Sequence, residues 1–190
     1  MPLTVPVTNR EHIRGATTAS MTLLEYGDYQ CPRCQQAHLA VKALQSSLAN
    51  DKPEISQAFR FVFRHFPIVM LRPFAQYTAE VAEAAGAQGQ FWPIHDYLFE
   101  HPLEQGNGAL FSFTKGLGLD MHRFEREVAE HLYTKQIRAD IAGGIQSDVN
   151  GTPTFFINGI RHDGDWSTKA LLTLVEREWE NRQKTLNSLE

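Results

Sequence analysis

The sequence predicts an α/β fold in which a strand-helix-strand unit and a strand-strand-helix unit flank a block made only of helices. Three observations predict it: short apolar runs near both ends of the chain, a helical apolar period through its middle, and a closing amphipathic segment. With 190 residues, 42% of them hydrophobic, the chain can bury a core without disulfide support.

The first unit begins with MTLLEY, Met21 to Tyr26, an apolar run typical of a buried strand. From Cys34 onward the apolar residues follow a helical spacing, which predicts a helix that ends near Asn50. In QAFRFVFRHFP the phenylalanines alternate with other residues, so this segment predicts a second strand, which Pro67 ends. A right-handed crossover between parallel strands is the default connection for such a unit.

The middle of the chain predicts several helices. Pro73 is expected to begin the first, and Gly86 to end it as a left-handed cap. Short helices are expected over about 91–99 and 110–115. Asp120 is expected to cap a further helix, and the same apolar period continues after it.

The last forty or so residues return to strand patterns. The runs TFFI and IRH lie on either side of Asn158 and Gly159, and an Asn-Gly pair in this position predicts a hairpin. A helix from about Ser167 to Asn181 is expected to close the chain.

Charge and hydropathy exclude two kinds of partner. Lysine and arginine number 18 against 22 aspartates and glutamates, and these charges are scattered, so we expect no nucleic-acid partner. No run approaches the length of a membrane span, and MPLTVPVTNREHIRG does not resemble a signal peptide. We therefore expect no membrane insertion and a cytoplasmic protein as the sequence is written, or a periplasmic or extracellular one if a signal peptide has been removed.

The only two cysteines stand together in YGDYQCPRCQQAH, at the predicted junction of strand and helix. There Cys31 precedes the helix, whose unpaired N–H groups and dipole favour a thiolate. Cys34 lies one turn further on and within reach for a disulfide, so it can resolve a mixed disulfide formed at Cys31. Pro32 suits the first helical position, and Arg33 places a cation beside the thiolate.

Other uses of the cysteines stay open. A structural disulfide over so short a loop would stabilise little. A zinc site could use Cys31, Cys34 and His38 but lacks an obvious fourth ligand, and Gln35 stands where covalent haem attachment needs histidine. A nucleophilic cysteine-histidine pair would leave Cys34 unused. A module that binds a soft metal or senses redox state through the same cysteines is the main alternative, although we assign no metal ligands.

Four segments resemble the DsbA-like branch of thioredoxin-fold thiol-disulfide oxidoreductases. They are LLEYGDYQCPRC at Leu23–Cys34, FRFVFRHFP at Phe59–Pro67, AGAQGQFWPIHDYLFEH at Ala85–His101 and NGTPTFFING at Asn150–Gly159. The resemblance implies a discontinuous thioredoxin-like domain from residues 1–67 and 150–190, with residues 68–149 as a helical insertion domain.

The resemblance also implies roles for single residues. Cys31 matches an exposed nucleophile and Cys34 a buried resolving thiol. Pro153 matches a cis-proline that faces the cysteines, and this leaves the backbone of Thr152 free to pair with an extended substrate. Glu25 matches an acidic residue beneath the site; if it is buried, its raised pKa would suit proton transfer for Cys34, whereas at a solvated strand end it would have no such role.

The expected activity is therefore disulfide exchange on protein or peptide dithiols and disulfides. The Cys31–Cys34 pair would itself carry the electrons, so no further cofactor is expected. Glutathione or an unidentified redox partner would recycle the pair. The direction stays open, because a glutathione-buffered cytosol favours reduction or isomerisation whereas Arg33 favours oxidation.

Overall fold

The computed structural model describes residues 1–8, 11–101 and 108–188. Its strands are β1 His12–Gly15, β2 Met21–Gly27, β3 Phe59–His65, β4 Thr154–Ile157 and β5 Ile160–His162. Its helices are α1 Pro32–Asp51, α2 Pro53–Ala58, α3 Ala75–Gly86, α4 Phe91–Glu100, α5 Gly108–Gly116, α6 Met121–Ala129, α7 Thr134–Gln146 and α8 Thr168–Asn187.

The strands form one mixed sheet in the order β1-β3-β2-β4-β5. β2 and β3 are parallel, with Met21 opposite Phe59, as the predicted crossover requires. β4 runs antiparallel to β2 and places Thr154 opposite Tyr26. The end of β2 therefore lies beside the start of β4, and this register brings the loop before β4 to the start of α1.

Both faces of the sheet are covered. On one face Leu23, Phe61 and Phe63 pack with the apolar sides of several helices, among them α1, α3, α4 and α8. On the other face Leu24 and Tyr26 pack in a smaller cluster whose partly buried neighbours come from the N-terminal segment, β1, the loop after β3 and α7. The central strands are consequently buried on both sides, as is typical of strands covered by helices.

Arg64 shows how a charged residue is held inside this sheet. Its guanidinium donates to both carboxylate oxygens of Glu11, at 2.7 and 3.0 Å. It also donates to the Tyr26 hydroxyl at 2.9 Å and to the carbonyl oxygens of Val5 and Pro6. These partners satisfy the buried charge, which explains why the polar positions of the FRFVFRH alternation need not face solvent.

The predicted α/β order is confirmed, with helices α3 to α7 between β3 and β4. The hairpin turn is confirmed too, since Asn158 and Gly159 have φ values of 49° and 80°. Asp120 caps α6 by accepting from the backbone N–H of Arg123 at 3.0 Å. That residues 68–149 form a domain of their own stays a prediction.

Three local expectations were wrong. α3 begins at Ala75 rather than at Pro73. Gly86 is the last residue of that helix rather than its left-handed cap, and the positive φ of 77° is found at Gly89. A Cβ atom at Gly86 would lie 3.3 Å from the Phe91 side chain, so glycine at this position allows close packing. α8 extends beyond Asn181 to Asn187.

Candidate active site

Cys31 is the N-cap residue of α1, directly after the loop that follows β2. Its backbone is extended, its N–H donates to the Asp28 carbonyl at 2.9 Å, and its carbonyl accepts from the Gln35 N–H at 3.1 Å. Pro32 occupies the first turn, where its missing N–H costs no hydrogen bond. The sulfur therefore lies at the N-terminal end of a helix of 20 residues.

Several groups favour the thiolate of Cys31. A hydrogen bond from the Cys34 side chain is the largest influence and lowers the pKa of Cys31 to about 5, although burial opposes it. The Thr152 hydroxyl, which can donate to the thiolate form, the Cys34 backbone N–H and the charge of Arg72 lower this pKa further. The stabilised thiolate is the reactive form in disulfide exchange.

Cys31 is not exposed, contrary to the expectation. Only 1% of its surface is accessible, and its Sγ lies 3.4 Å from the carbonyl oxygen of Thr152. The loop before β4 covers the sulfur because β4 pairs antiparallel with β2. The peptide bond between Thr152 and Pro153 in this loop is cis.

Cys34 lies one turn into α1 and is fully buried. Burial raises its pKa well above the ordinary value, and the hydrogen bond that it gives to Cys31 adds to this. Both cysteines are free thiols in the structure. The pair is therefore asymmetric, with a thiolate favoured at Cys31 and a protonated thiol at Cys34.

Glu25 is buried in β2 with 1% of its surface exposed, which settles the alternatives left open by the sequence in favour of burial. Burial, followed by the negative charge of Cys31, raises the pKa of Glu25 to about 8. Its Oε1 has no hydrogen-bond partner among the described residues. A carboxyl group in this state can hold and release a proton near neutral pH.

The charge of Arg72, a residue that the sequence did not indicate, lowers the pKa of Cys31. Its Nη1 lies 3.2 Å from Oδ2 of the buried Asp28, which also accepts from the N–H groups of Gln30 and Ile68. Arg33 instead lies against Trp166, with its guanidinium carbon 5.8 Å from the centre of that ring. A tuning role for Arg33 stays a prediction.

The described part of the chain contains two groups of side chains that could bind a metal ion, and neither group contains a cysteine. They are His12, His65 and Glu83, and His38, His95 and Asp96. The alternative zinc set of Cys31, Cys34 and His38 is thus not among the metal-compatible clusters found in the described residues.

Comparison with known proteins identifies the family. The family model described as Thioredoxin matches residues 7–177, so the chain belongs to this family. A thioredoxin-like oxidoreductase from Silicibacter pomeroyi superimposes with a TM-score of 0.74 at 24% identity, covering 91% of this chain and 94% of that one. BdbD from Bacillus subtilis gives 0.75 at 18% identity, covering 90% and 93%. α-DsbA1 from Wolbachia pipientis gives 0.73 at 17% identity, covering 99% and 98%. The predicted DsbA-like thioredoxin fold is confirmed.

Curated relatives carry a different kind of name. A protein of Salinispora arenicola named Na(+)/H(+) antiporter NhaA 1 is 42% identical over 174 residues, and one of Salinispora tropica named Na(+)/H(+) antiporter NhaA 3 is 40% identical over 174 residues. Each match covers 91% of this chain but only 26% of the relative.

These names contradict the expected cytoplasmic localisation, because an Na(+)/H(+) antiporter is a membrane transporter. The expectation was based on a sequence that spans about a quarter of these relatives. Among the described residues, no helix is both long and apolar enough to cross a bilayer.

Proposed function

We propose that this chain is a DsbA-like thiol-disulfide oxidoreductase that acts on protein or peptide substrates. The observation that carries the proposal is the opposite perturbation of the two thiols, which lowers the pKa of Cys31 to about 5 and raises that of Cys34. A helix N-terminus with one stabilised thiolate and one buried thiol suits exchange through a mixed disulfide.

The reaction balances without a further redox cofactor. In the oxidised protein, a substrate thiolate attacks Cys31 Sγ, the Cys31–Cys34 bond breaks, and Cys34 leaves as a thiolate that takes up a proton. A second substrate thiolate then attacks the substrate sulfur of the mixed disulfide and releases the Cys31 thiolate. The substrate loses two electrons and the cysteine pair gains them.

Glu25 is the proton donor and acceptor for Cys34 in this proposal. It is buried, its pKa of about 8 lies close to neutrality, and its negative charge raises the pKa of Cys34. When Cys34 leaves as a thiolate, a protonated Glu25 can neutralise it; in the reverse direction, the carboxylate can take the proton from Cys34.

The Thr152–Pro153 loop is the proposed substrate-binding edge. It lies over Cys31 and leads into β4. A substrate that adds as an extended strand would replace the contact between Cys31 and Thr152 and bring its own sulfur to Cys31. Recognition through backbone groups would allow many substrate sequences.

An exposed apolar segment beside the site supports peptide substrates. Met70, Leu71 and Phe74 are 93%, 71% and 54% exposed. This segment is fixed next to the active-site loop, since the N–H of Phe74 donates to the Gln30 side chain at 3.0 Å. Apolar side chains of an unfolded substrate would find a surface here.

The proposed direction is oxidation of the substrate. A low pKa at Cys31 stabilises the reduced protein, and each pKa unit corresponds to about 1.4 kcal/mol, or about 30 mV toward a more oxidising potential. The direction rests on Cys34, Thr152 and Arg72, which all lower the Cys31 pKa.

The reduction potential of the pair tests this proposal, measured by equilibration in glutathione buffers with mass spectrometry of alkylated thiols. We expect a value above roughly −200 mV, together with oxidation of reduced ribonuclease. A potential below about −270 mV would overturn the oxidant direction. Absence of a reversible dithiol-disulfide transition would reject disulfide exchange and favour the soft-metal or redox-sensing alternative.

Trapping of the intermediate provides a second test. Cys34→Ser should accumulate a mixed disulfide with a peptide supplied as a disulfide, because the Cys31 thiolate attacks one peptide sulfur, the other leaves as a thiolate, and the resolving thiol is missing. Cys31→Ser is the matched control and should form none. An adduct on Cys34 in that control would contradict the assigned roles.

A further inference from the structure

A group of polar side chains lies between α1 and α4, apart from the cysteine pair. His38 is on α1, and His95, Asp96 and Glu100 are on α4. One ligand atom each from His38, His95 and Asp96 lie within 4.8 Å of one another. Nε2 of His38 is 4.0 Å from Asp96 Oδ1 and 3.5 Å from Glu100 Oε1.

His38 contains an unsatisfied nitrogen at this place. Its side chain is only 4% exposed, and Nε2 has no hydrogen-bond partner among the described residues. The nearby Glu100 Oε1 atom, 3.5 Å away, lies beyond the usual range of hydrogen-bond distances. A buried ring nitrogen without a partner is uncommon, because its desolvation is not compensated.

His95 is oriented by a neighbour. Its Nδ1 lies 3.0 Å from the hydroxyl of the buried Tyr29, and its ring contacts that of His38 with the centroids 5.5 Å apart. Histidine ligands in metal sites commonly use the second ring nitrogen for such a hydrogen bond.

The carboxylates provide charge and access. The side chains of Asp96 and Glu100 are 28% and 36% exposed, so the group opens to solvent on that side. Arg14 donates to Asp96 and Lys42 to Glu100, but each carboxylate has further lone pairs for a cation.

We propose that His38, His95 and Asp96 bind a divalent transition-metal cation of the zinc type, with Glu100 positioned to complete the coordination. Two imidazoles and a carboxylate are a common ligand set for such a cation. The expectation that the chain has no metal ligands would then be wrong. The site does not depend on the proposed disulfide exchange.

The second histidine-carboxylate group, formed by His12, His65 and Glu83, shows why we place the cation at His38 instead. In that group His12 and His65 each place Nε2 on the same oxygen of Glu83, at 2.7 and 2.9 Å. Those side chains already satisfy one another, whereas Nε2 of His38 has no hydrogen-bond partner in the part of the chain that the structure describes.

A cation at the proposed site would connect the helix that begins at the cysteines to the helical block. His38 follows Cys34 by one turn of α1, and its metal partners all belong to α4. Binding only to the folded chain would raise its stability with cation concentration.

Cobalt(II) binding to the full chain carrying Cys31→Ser and Cys34→Ser tests the site, because the thiols can then not bind the ion. We expect one equivalent, with visible d–d absorption and a melting temperature that rises with cobalt concentration. His38→Gln or Asp96→Asn in this background should weaken binding at least about 10-fold, and Tyr29→Phe should weaken it by about 10 to 100-fold. Circular dichroism checks that each variant is folded.

His12→Gln is the matched control and should leave cobalt binding unchanged. Loss of binding in this control, with retention in Asp96→Asn, would place the ion at the other cluster and overturn the proposal. So would the absence of stoichiometric binding.

Discussion

The sulfur of Cys31 lies 3.4 Å from the carbonyl oxygen of Thr152, to which its thiol donates. The hydroxyl of the same Thr152 is buried and has no hydrogen-bond partner among the described residues. When Cys31 loses its proton, the carbonyl can no longer accept from it, whereas the hydroxyl can donate to the thiolate. One residue thus offers Cys31 a partner in each protonation state.

Thr152→Val should therefore raise the pKa of Cys31, since valine keeps the shape of threonine but cannot donate. Cys34→Ala should raise it more, because the hydrogen bond from Cys34 is the largest influence. The rate of alkylation by iodoacetamide against pH measures the pKa, with a midpoint near pH 5 expected for the unaltered chain. A midpoint that stays unchanged in both variants would contradict the assigned hydrogen bonds.

Replacing Arg72 or Arg33 by glutamine removes one positive charge in each case, so the two variants can be compared directly. Arg72→Gln should raise the Cys31 pKa and lower the reduction potential, because Arg72 contributes to the low pKa. Arg33→Gln should have the smaller effect, since that guanidinium lies over Trp166. Potentials measured at low and high salt check the electrostatic origin; a larger effect from Arg33 would restore the sequence-based interpretation.

Glu25→Gln should stabilise the protein at neutral and alkaline pH. The folded-state pKa of about 8 lies above the ordinary 4.5, so the folded chain holds a proton that the unfolded chain releases in this range. The unaltered chain therefore loses stability as pH rises from about 4.5 to 8, and the variant does not. We expect a gain in the free energy of unfolding of roughly 1–3 kcal/mol at pH 7, measured in urea.

The control for this prediction is Glu54→Gln, a change at an exposed carboxylate at the start of α2. It should alter stability little at any pH. A Glu25→Gln variant whose stability follows the same pH profile as the unaltered chain would show that Glu25 is ionised at neutral pH.

In the reduced protein, Cys31 should make the free energy of unfolding depend on pH in the opposite sense to Glu25. Its folded-state pKa of about 5 lies below the ordinary 9.0, so the unfolded chain binds the additional proton between these values. The stabilisation due to Cys31 should increase from pH 5 to pH 9 and disappear as pH falls through 5. The difference in unfolding free energy between the reduced chain and Cys31→Ser isolates this effect from that of Glu25.

Local sequence patterns predicted much of the fold. β2, α1, β3 and the hairpin have clear apolar periods and turn residues, and the structure has them within a few residues of the expected bounds. β1 and α2 were not predicted, because HIRG and PEISQA are short and have no decisive period.

The surroundings of the site were harder to predict, because they depend on contacts between distant segments. Cys31 and Cys34 were evident from their spacing, but the influence of Arg72 arises from a loop more than thirty residues away. The cover over Cys31 comes from the pairing of β4 with β2, and the His38 group joins two helices. No local pattern contains such information.

Because β2 pairs with β4, part of the surroundings of Cys31 can form only after the C-terminal part of the chain has been synthesised. Thr152 is made long after Cys31, and at 5–20 residues per second the interval is on the order of 10 s. Until then neither its hydroxyl nor β4 can act on the sulfur. Cys34 and Arg72, which also lower the pKa of Cys31, are made earlier, so the contribution of Thr152 and its cover over the sulfur are the late products of translation.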